Sequence, residues 1–547
     1  MNVKRLIFAL LCVWLSAGSI FAGGRQGAGS SASATPSLYL GIQTNSFVSD
    51  YKNNYLTRYL EDLHKVSLDF YLLPADAQEV RTKISLMVAS NDLPDVLLID
   101  ALTREQILDY GSKGAFVSLN RYLNDPAKAP RFAKIPEPDK SDIITTGTMA
   151  DGNIYSLPRW EAEPWNMTPH RYYINKAWLD KLGLKVPATT DELRNALIAF
   201  RDRDPNGNGR KDEIGITGWF SGGYGENVIN ALLNSFIFYN QGNLALDASG
   251  NTVTVPFTDP AFRKGLQYLN QLYKDGVLSA STFTDNQQQY RANLNATPPV
   301  VGLTSAGSFS NWTNYNSNPN FIEMDMAAPF TGPDGVSWTP YTPYVPSQSG
   351  FITSKCRDVD LAFKFLEAFF DPPVSTVARY GEEGVDWTTD PEELKKISNP
   401  YVEMGIVPAV GIGQMTLIWS EPSAQFWHNM NPRWAPITES PEKASLLEPY
   451  DPSLPNAPYH PFNYRNYLNR HPDKVLPLLS YTVDEAARIS GPITDINEYV
   501  RQSIAEFVTG VRDINANAAW DNYLKTLNDM GLQTWLSTAQ AAYNRLK

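Results

Sequence analysis

Leu38-Tyr-Leu-Gly-Ile42, Ser67 to Leu72 and Asp95-Val-Leu-Leu-Ile-Asp100 are the stretches that decide the fold. Each is a short apolar run, and two segments of helical length, Tyr51 to Leu63 and Ala77 to Ser90, lie between them. Short apolar strands separated by helices predict a parallel α/β sheet. Ligands of such sheets collect at the carboxyl ends of the strands. That rule points to Gln43 to Asn45, Pro74 to Asp76 and Asp100, with Asn45 and Asp100 as ligand-binding candidates.

The pattern restarts after Tyr155. Tyr172-Tyr-Ile-Asn175 reads as a strand leading into a helix around Trp178 to Leu182. Thr189 with Glu192 three residues on is a capping box, and Leu193, Ala196, Leu197 and Phe200 form one apolar helical face behind it. Further helices are expected over Ala261 to Asp275, Asp360 to Phe370 and the tail, where Trp520, Tyr523, Leu527, Trp535, Ala539 and Tyr543 recur at helical spacing.

The helix after Thr189 runs into Asp204-Pro-Asn206-Gly-Asn208-Gly-Arg210-Lys-Asp212-Glu213. Oxygen ligands at alternate positions, glycines that let the backbone turn, and closing carboxylates are what Ca²⁺ requires. Two registers are open. Asp202, Asp204, Asn206 and Glu213 fit a twelve-residue EF-hand; Asp204, Asn206, Asn208, the Arg210 carbonyl, Asp212 and Glu213 fit a shortened loop, the preferred register because it uses both closing acids and both asparagines. The bland alternative is a solvated Asn/Gly turn.

Lys4 and Arg5 precede an apolar run from Leu6 to Leu15, and small residues follow before Ala22. This is the pattern of a signal peptide spanning residues 1–22, too short to cross a bilayer, followed by a flexible Gly/Ser/Ala-rich leader over 23–37. Cys12 lies inside the apolar run without a small residue before it, so no lipid anchor is expected. Removing residues 1–22 takes away two positive charges and makes a chain of net charge −12 more acidic still. An acidic chain without a basic cluster lacks the phosphate-neutralising term of nucleic-acid binding, which excludes that partner. Cys356 alone remains, so no intramolecular disulfide is available.

Thirteen tryptophans are many for 547 residues, and nine fall in loop-like contexts: Trp160, Trp165, Trp219, Trp312, Trp338, Trp387, Trp419, Trp427 and Trp434. Indoles offer flat apolar surface with a polar N–H, suited to pyranose faces. Trp160, Trp219, Trp312, Trp387 and Trp419 are the aromatic ligand candidates; Trp178, Trp520 and Trp535 lie on helical faces and read as core. The competing class is a secreted glycoside hydrolase or polysaccharide lyase using paired acids such as Glu161 with Glu163, Glu382 with Glu383, or Glu421. Adjacent acids are usually solvated surface charge. The five histidines show no metal spacing, and neither a G-x-S-x-G elbow nor a phosphate-binding loop occurs.

Asp151-Gly-Asn-Ile-Tyr-Ser-Leu-Pro158, Tyr173-Ile-Asn-Lys-Ala-Trp-Leu-Asp-Lys-Leu-Gly-Leu184, Thr189-Thr-Asp-Glu-Leu193, the Asp204 to Glu213 loop, Leu272-Tyr-Lys-Asp-Gly276, Arg379-Tyr-Gly-Glu-Glu-Gly384 and the helix from Trp520 to Arg545 follow one another in an order that resembles family 1 extracellular solute-binding proteins of ABC importers, above all the long oligosaccharide and alginate binders. The resemblance implies a periplasmic-binding-protein-like α/β fold: two lobes, a hinge, an interlobe ligand cleft and a helical C-terminal segment. It implies hinge crossings near Ile154 to Trp160, Ala292 to Gly302 and Tyr344 to Ile352. The resulting division is residues 38–155 in the first lobe, 156–291 in the second, 292–345 returning to the first, and 346–547 in the second with the C-terminal helices. A structural Ca²⁺ held away from the cleft by Asp204, Asn206, Asn208, Arg210, Asp212 and Glu213 is implied as well. So are an oligosaccharide ligand, ABC permease subunits as partners, a monomeric receptor, and a freely diffusing periplasmic form, since no lipid-modified Cys is present. Neutral and acidic sugars stay open at this point, because Arg159, Arg171 and Arg433 could each meet either a ligand carboxylate or a surface acid.

Overall fold

The computed structural model describes residues 35–160, 167–240, 243–313, 318, 323–397, 411–416, 418, 422–434 and 466–546. In chain order the strands are β1 (Ser37–Gln43), β2 (Ser67–Leu73), β3 (Val96–Leu98), β4 (Ser156–Trp160), β5 (Arg171–Asn175), β6 (Ile214–Ile216), β7 (Ala245–Leu246), β8 (Val253–Thr254), β9 (Val301–Ala306), β10 (Met324–Ala327), β11 (Ser347–Ile352), β12 (Trp387–Thr388), β13 (Gly413–Gln414) and β14 (Arg433–Trp434). β7 with β8 and β12 with β13 make two small separate pairs.

The first large sheet has the order β14-β4-β11-β3-β1-β2. β1 runs parallel to both β2 and β3, in registers that match Gln43 with Leu73 and Ile42 with Leu98. β11 is antiparallel to β3 and β4. Leu38, Leu40 and Ile42 face a core with Leu56, Leu60, Leu157 and Phe363, while Leu97, Ile99 and Phe351 face a second with Val80, Ile84 and Ile107. Burial on both faces is what drives apolar strands into a parallel sheet. Helix Ala77–Ser90 forms where expected, opened by the Asp76 side chain accepting from the Gln78 and Glu79 N–H groups. Helix Tyr55–His64 starts later than Tyr51. The Asp50 carboxylate accepts from the Lys52 and Asn53 N–H groups and holds that stretch in a turn, so Asn54 becomes the cap.

The second sheet has the order β10-β5-β9-β6, with β5 antiparallel to β9 and β10 and β6 parallel to β9. The Thr189/Glu192 capping box opens helix Thr190–Asp202, whose Leu193, Leu197 and Phe200 pack on Ile174 and Leu303. The same core takes Ile496, Phe507, Trp520, Tyr523 and Trp535 from helices Val483–Thr509, Asn517–Asp529 and Leu532–Asn544. A mixed α/β fold with a helical C-terminal segment is the result.

The chain divides between the sheets differently from the division at 155, 291 and 345. β4 belongs to the first sheet, so residues 156–160 stay there. β9 and β10 lie in the second sheet, so 292–345 does not return to the first; every residue of Val301–Ala306 is buried, and β9 is needed between β5 and β6. β11, helix Val359–Glu367 and β14 build the first lobe, and only the chain from about Tyr467 onward rejoins the second. The crossings therefore fall between residues 160 and 171, 327 and 347, and 434 and 467. Hydrogen bonds braid them, from Thr342 N–H to the Met167 carbonyl (3.1 Å) and from Thr339 N–H to the Arg470 carbonyl (2.8 Å).

Candidate functional site

Connectivity defines the cleft. β4 ends where the first crossing begins and β5 starts where it finishes, and the Tyr344 hydroxyl donates to the Arg159 carbonyl across that junction (3.1 Å). Arg171 pairs with Ala306, which brings the carboxyl end of β9 to the same side, and β6 runs parallel to β9. The carboxyl ends of β1, β3 and β4 thus face those of β6 and β9 across the crossings, the arrangement in which α/β sheets bind ligands.

On the first lobe, the buried Gln43 stitches the strand ends together: its amide donates to the Ala75 carbonyl (3.0 Å) and accepts from Asp100 N–H (3.4 Å). Asn45 spends its side-chain oxygen on Phe47 N–H (2.9 Å), and its own N–H donates to the Tyr51 hydroxyl, which burial pushes up to about 12. Asp100, at the end of β3, lies 3.5 Å from the Arg159 guanidinium. Arg159 also donates to the Asn429 carbonyl (3.0 Å) and the Ser347 hydroxyl (3.2 Å), and Arg433 donates to Asn429 Oδ1 (2.8 Å). His428 and Asn429 are both left-handed (φ 47° and 67°), a strained pairing for residues with side chains that aims the Asn429 carbonyl at Arg159. Burial, helped by Arg159, lowers the His428 imidazole below its ordinary value, so it is neutral at pH 7.

On the second lobe, Trp219 follows β6 and is half-buried. Its backbone N–H donates to the Glu226 carbonyl (2.9 Å), and the Glu226 carboxylate, 2% exposed, accepts from Tyr224 N–H (2.7 Å) and the Asn311 amide (3.1 Å). Gly225 sits at φ 89°, where a Cβ would run into the Pro169 carbonyl and the Gly307 backbone. Only glycine lets this loop lie so close to the first crossing. Arg171, fully buried, donates to the Gly307 carbonyl.

The structure brings Asn45, Asp100 and Trp219 to the facing ends. Three other candidates are packing residues instead. Trp160 is buried against Tyr344 (ring centroids 5.0 Å), Trp312 is buried against Tyr173 (5.4 Å), and Trp387 is buried with its N–H on the Gly381 carbonyl. Glycine- and proline-rich surroundings say nothing about the long-range partners that cover an indole. Trp419 lies outside the described residues, as does Glu421. Asn429 and Glu226 come to the site from segments with no local signal, whereas Arg159, left open between a ligand carboxylate and a protein acid, meets the protein's own Asp100.

The Asp204 to Glu213 loop lies at the amino end of β6, away from the cleft. Asp204 is left-handed (φ 46°) and accepts from Asn208 and Gly209 N–H groups; the Asn206 and Asn208 amides donate to Asp212 (3.1 Å each). Among the described residues no three His, Cys, Asp or Glu side chains already converge as a metal cluster. The donor set nonetheless fits a cation. Both Glu213 carboxylate oxygens are buried without a hydrogen-bond partner, and burial, with Asp204 and Asp212 nearby, raises the Glu213 carboxyl above its usual range. An unpaired buried carboxylate beside two acids is costly unless a cation joins them. Rotating the two amides would present oxygens in place of nitrogens.

Comparison with known proteins agrees with this architecture. Residues 64–382, more than half of the chain, match the family model described as bacterial extracellular solute-binding protein, and the chain belongs to that family. It is 26% identical over 509 residues, 89% of this chain and 86% of the relative, to the fructooligosaccharide ABC transporter substrate-binding protein FusA of Streptococcus pneumoniae. The structure of FusA in complex with kestose superimposes with a TM-score of 0.70 at 22% identity, covering 93% of this chain and 99% of FusA. FusA has also been solved as an EF-hand mutant in complex with fructo-nystose. An extracellular solute-binding protein from Bifidobacterium longum subsp. infantis gives a TM-score of 0.74 (20% identity, 94% and 99% covered). The alginate-binding protein AlgQ2 without calcium ion gives 0.65 (21% identity, 93% and 98% covered).

Proposed function

We propose that this protein is the solute receptor of an ABC importer, exported to the periplasm without a lipid anchor, that captures an oligosaccharide between its lobes as a monomer and hands it to the permease. The observation that carries this reading is the pairing of a polar wall, Asp100, Arg159 and Asn429, with the half-buried Trp219 opposite it at facing strand ends. Acid and guanidinium serve hydroxyls, and the indole serves a sugar face. A sugar touching both walls favours the closed arrangement by its differential affinity for that state, with bending at the three crossings. Binding by FusA, a substrate-binding protein, supports the ligand class. The site is read as non-catalytic: the Glu226 carboxylate is locked by two donors, and Asp100 is paired with Arg159. Among the described residues no helix is long and apolar enough to cross a membrane, which suits a protein working outside one.

Ca²⁺ is proposed as a structural ion held by Asp204, Asn206, Asn208, the Arg210 carbonyl, Asp212 and Glu213. It would supply the charge that Glu213 lacks and fix the turn between helix Thr190–Asp202 and β6; the EF-hand named for FusA and the calcium named for AlgQ2 support it. The test of the receptor is a thermal-shift screen against defined oligosaccharides, followed by solution scattering. Stoichiometric stabilisation, a smaller radius of gyration and no product are expected. Turnover of the glycan, or a constant radius at saturation, refutes the reading.

A further inference from the structure

We propose that the captured glycan is neutral and is read through its hydroxyls, and that uronate chains are excluded; this rests on the receptor reading above. Among the described residues, the guanidiniums at the facing strand ends are held by acceptors of the protein itself. Arg159 is paired with Asp100 at 3.5 Å, gives two further donors to Asn429 and Ser347, and has a side chain only 17% exposed. Arg171 and Arg433 are fully buried and donate to the Gly307 carbonyl and to Asn429 Oδ1. Arg291, half-buried, donates to the Asn311 carbonyl (2.8 Å).

The acid is the opposite case. The Asp100 side chain is 27% exposed and, among the described residues, has no hydrogen-bond donor of its own beyond the long contact to Arg159. It is an acceptor waiting for a donor. A sugar hydroxyl can donate to Asp100 and accept from Arg159 at once, and vicinal hydroxyls can use both members of the pair. A uronate carboxylate can only accept. It would compete with Asp100 for Arg159 or stand beside it as a like charge, and such juxtaposition at a binding surface weakens affinity by about 100-fold or more. Asp100 is therefore a specificity-determining residue: it draws in hydroxyls and repels acids with the same two oxygens.

The experiment is calorimetric titration of the mature protein with length-matched probes, namely tri- and tetrasaccharide fructo-oligosaccharides and neutral glucans in one arm, oligogalacturonates and oligoalginates in the other. Binding in the neutral arm, with acidic probes at least about 100-fold weaker, is the expected result. Asp100→Asn, checked for an unchanged melting profile, should weaken the neutral ligand and narrow the neutral-to-acidic ratio by about tenfold, since amide and carboxylate differ in charge but not in size. Acidic probes binding as tightly as neutral ones overturn this inference and leave the receptor standing. Silence in both arms counts against the oligosaccharide receptor itself and removes this inference with it. A ratio unchanged in Asp100→Asn takes the discriminating role away from Asp100.

Discussion

Glu213→Gln should change the sign of its effect on stability according to whether calcium is present. Without calcium the folded protein holds a buried carboxylate with no partner and two acids nearby, and its raised pKa means that the folded state binds a proton more tightly than the unfolded one. Stability associated with Glu213 is therefore present below the ordinary carboxyl pKa and lost as pH rises through the raised folded value, leaving a penalty at pH 7. A buried unsatisfied group costs about 1–3 kcal/mol, and charged groups cost more. Glutamine keeps the shape and drops the charge, so in chelator the variant should equal or exceed wild type by about 1 kcal/mol. With calcium at about a thousand times its dissociation constant, wild type gains about 4 kcal/mol by mass action, whereas the variant has lost the chelating carboxylate and gains little. Chemical denaturation of both proteins, in chelator and in millimolar calcium, reads the crossing directly. Wild-type curves that coincide in the two buffers, together with a variant destabilised equally in both, would refute the reasoning.

Trp219→Ala should weaken oligosaccharide affinity by roughly 2 kcal/mol or more with little loss of fold, whereas Trp535→Ala, 2% exposed in the core of the second sheet, should cost about 3–5 kcal/mol of stability and leave the affinity of the folded fraction intact; calorimetry and denaturant melts separate the two. Gly225→Ala forces a Cβ into the Pro169 carbonyl at φ 89° and should cost on the order of 1–3 kcal/mol, read as a lowered melting midpoint that Gly223→Ala, where nothing lies nearby, does not reproduce. The His170 imidazole is buried with both ring nitrogens unpartnered, and burial, with Arg171 beside it, lowers its pKa to about 3. The stability it protects is whole above the unfolded value near 6.5 and falls by about 1.4 kcal/mol per pH unit as acidification proceeds toward 3. His170→Phe should flatten the pH dependence of unfolding between pH 6 and 4, and an unchanged slope would count against it.

Much of this architecture was legible because it rests on local chemistry. The alternation of Leu38, Leu40 and Ile42, the Asp76 cap and the Thr189/Glu192 box each announce an element within a few residues of where it forms. Trp520 and Trp535 lie on helical faces and are buried, as their spacing implies. What stayed hidden depends on residues far away in sequence. Trp160 and Trp219 have similar surroundings in the chain, yet Tyr344 covers one and leaves the other half-open. Asn429 enters the wall through two consecutive left-handed residues, a turn that local sequence does not announce, and Arg159 meets Asp100 only once β11 has brought β4 alongside β3. The crossings were misplaced for the same reason, since β9 is apolar enough to fit either sheet.

The braided crossings also govern how the molecule can be made. The first lobe joins Asn54 to the Phe426 carbonyl, 372 positions on, and Thr353 to the Pro94 carbonyl, 259 positions back. A chain emerging from the ribosome therefore cannot close that lobe until residues beyond 430 are available, and until then β3 presents an edge whose partner β11 does not yet exist. Such long sequence separations slow folding, and an open apolar edge invites association with other chains. Truncations at the lobe junctions should yield aggregates rather than half-molecules.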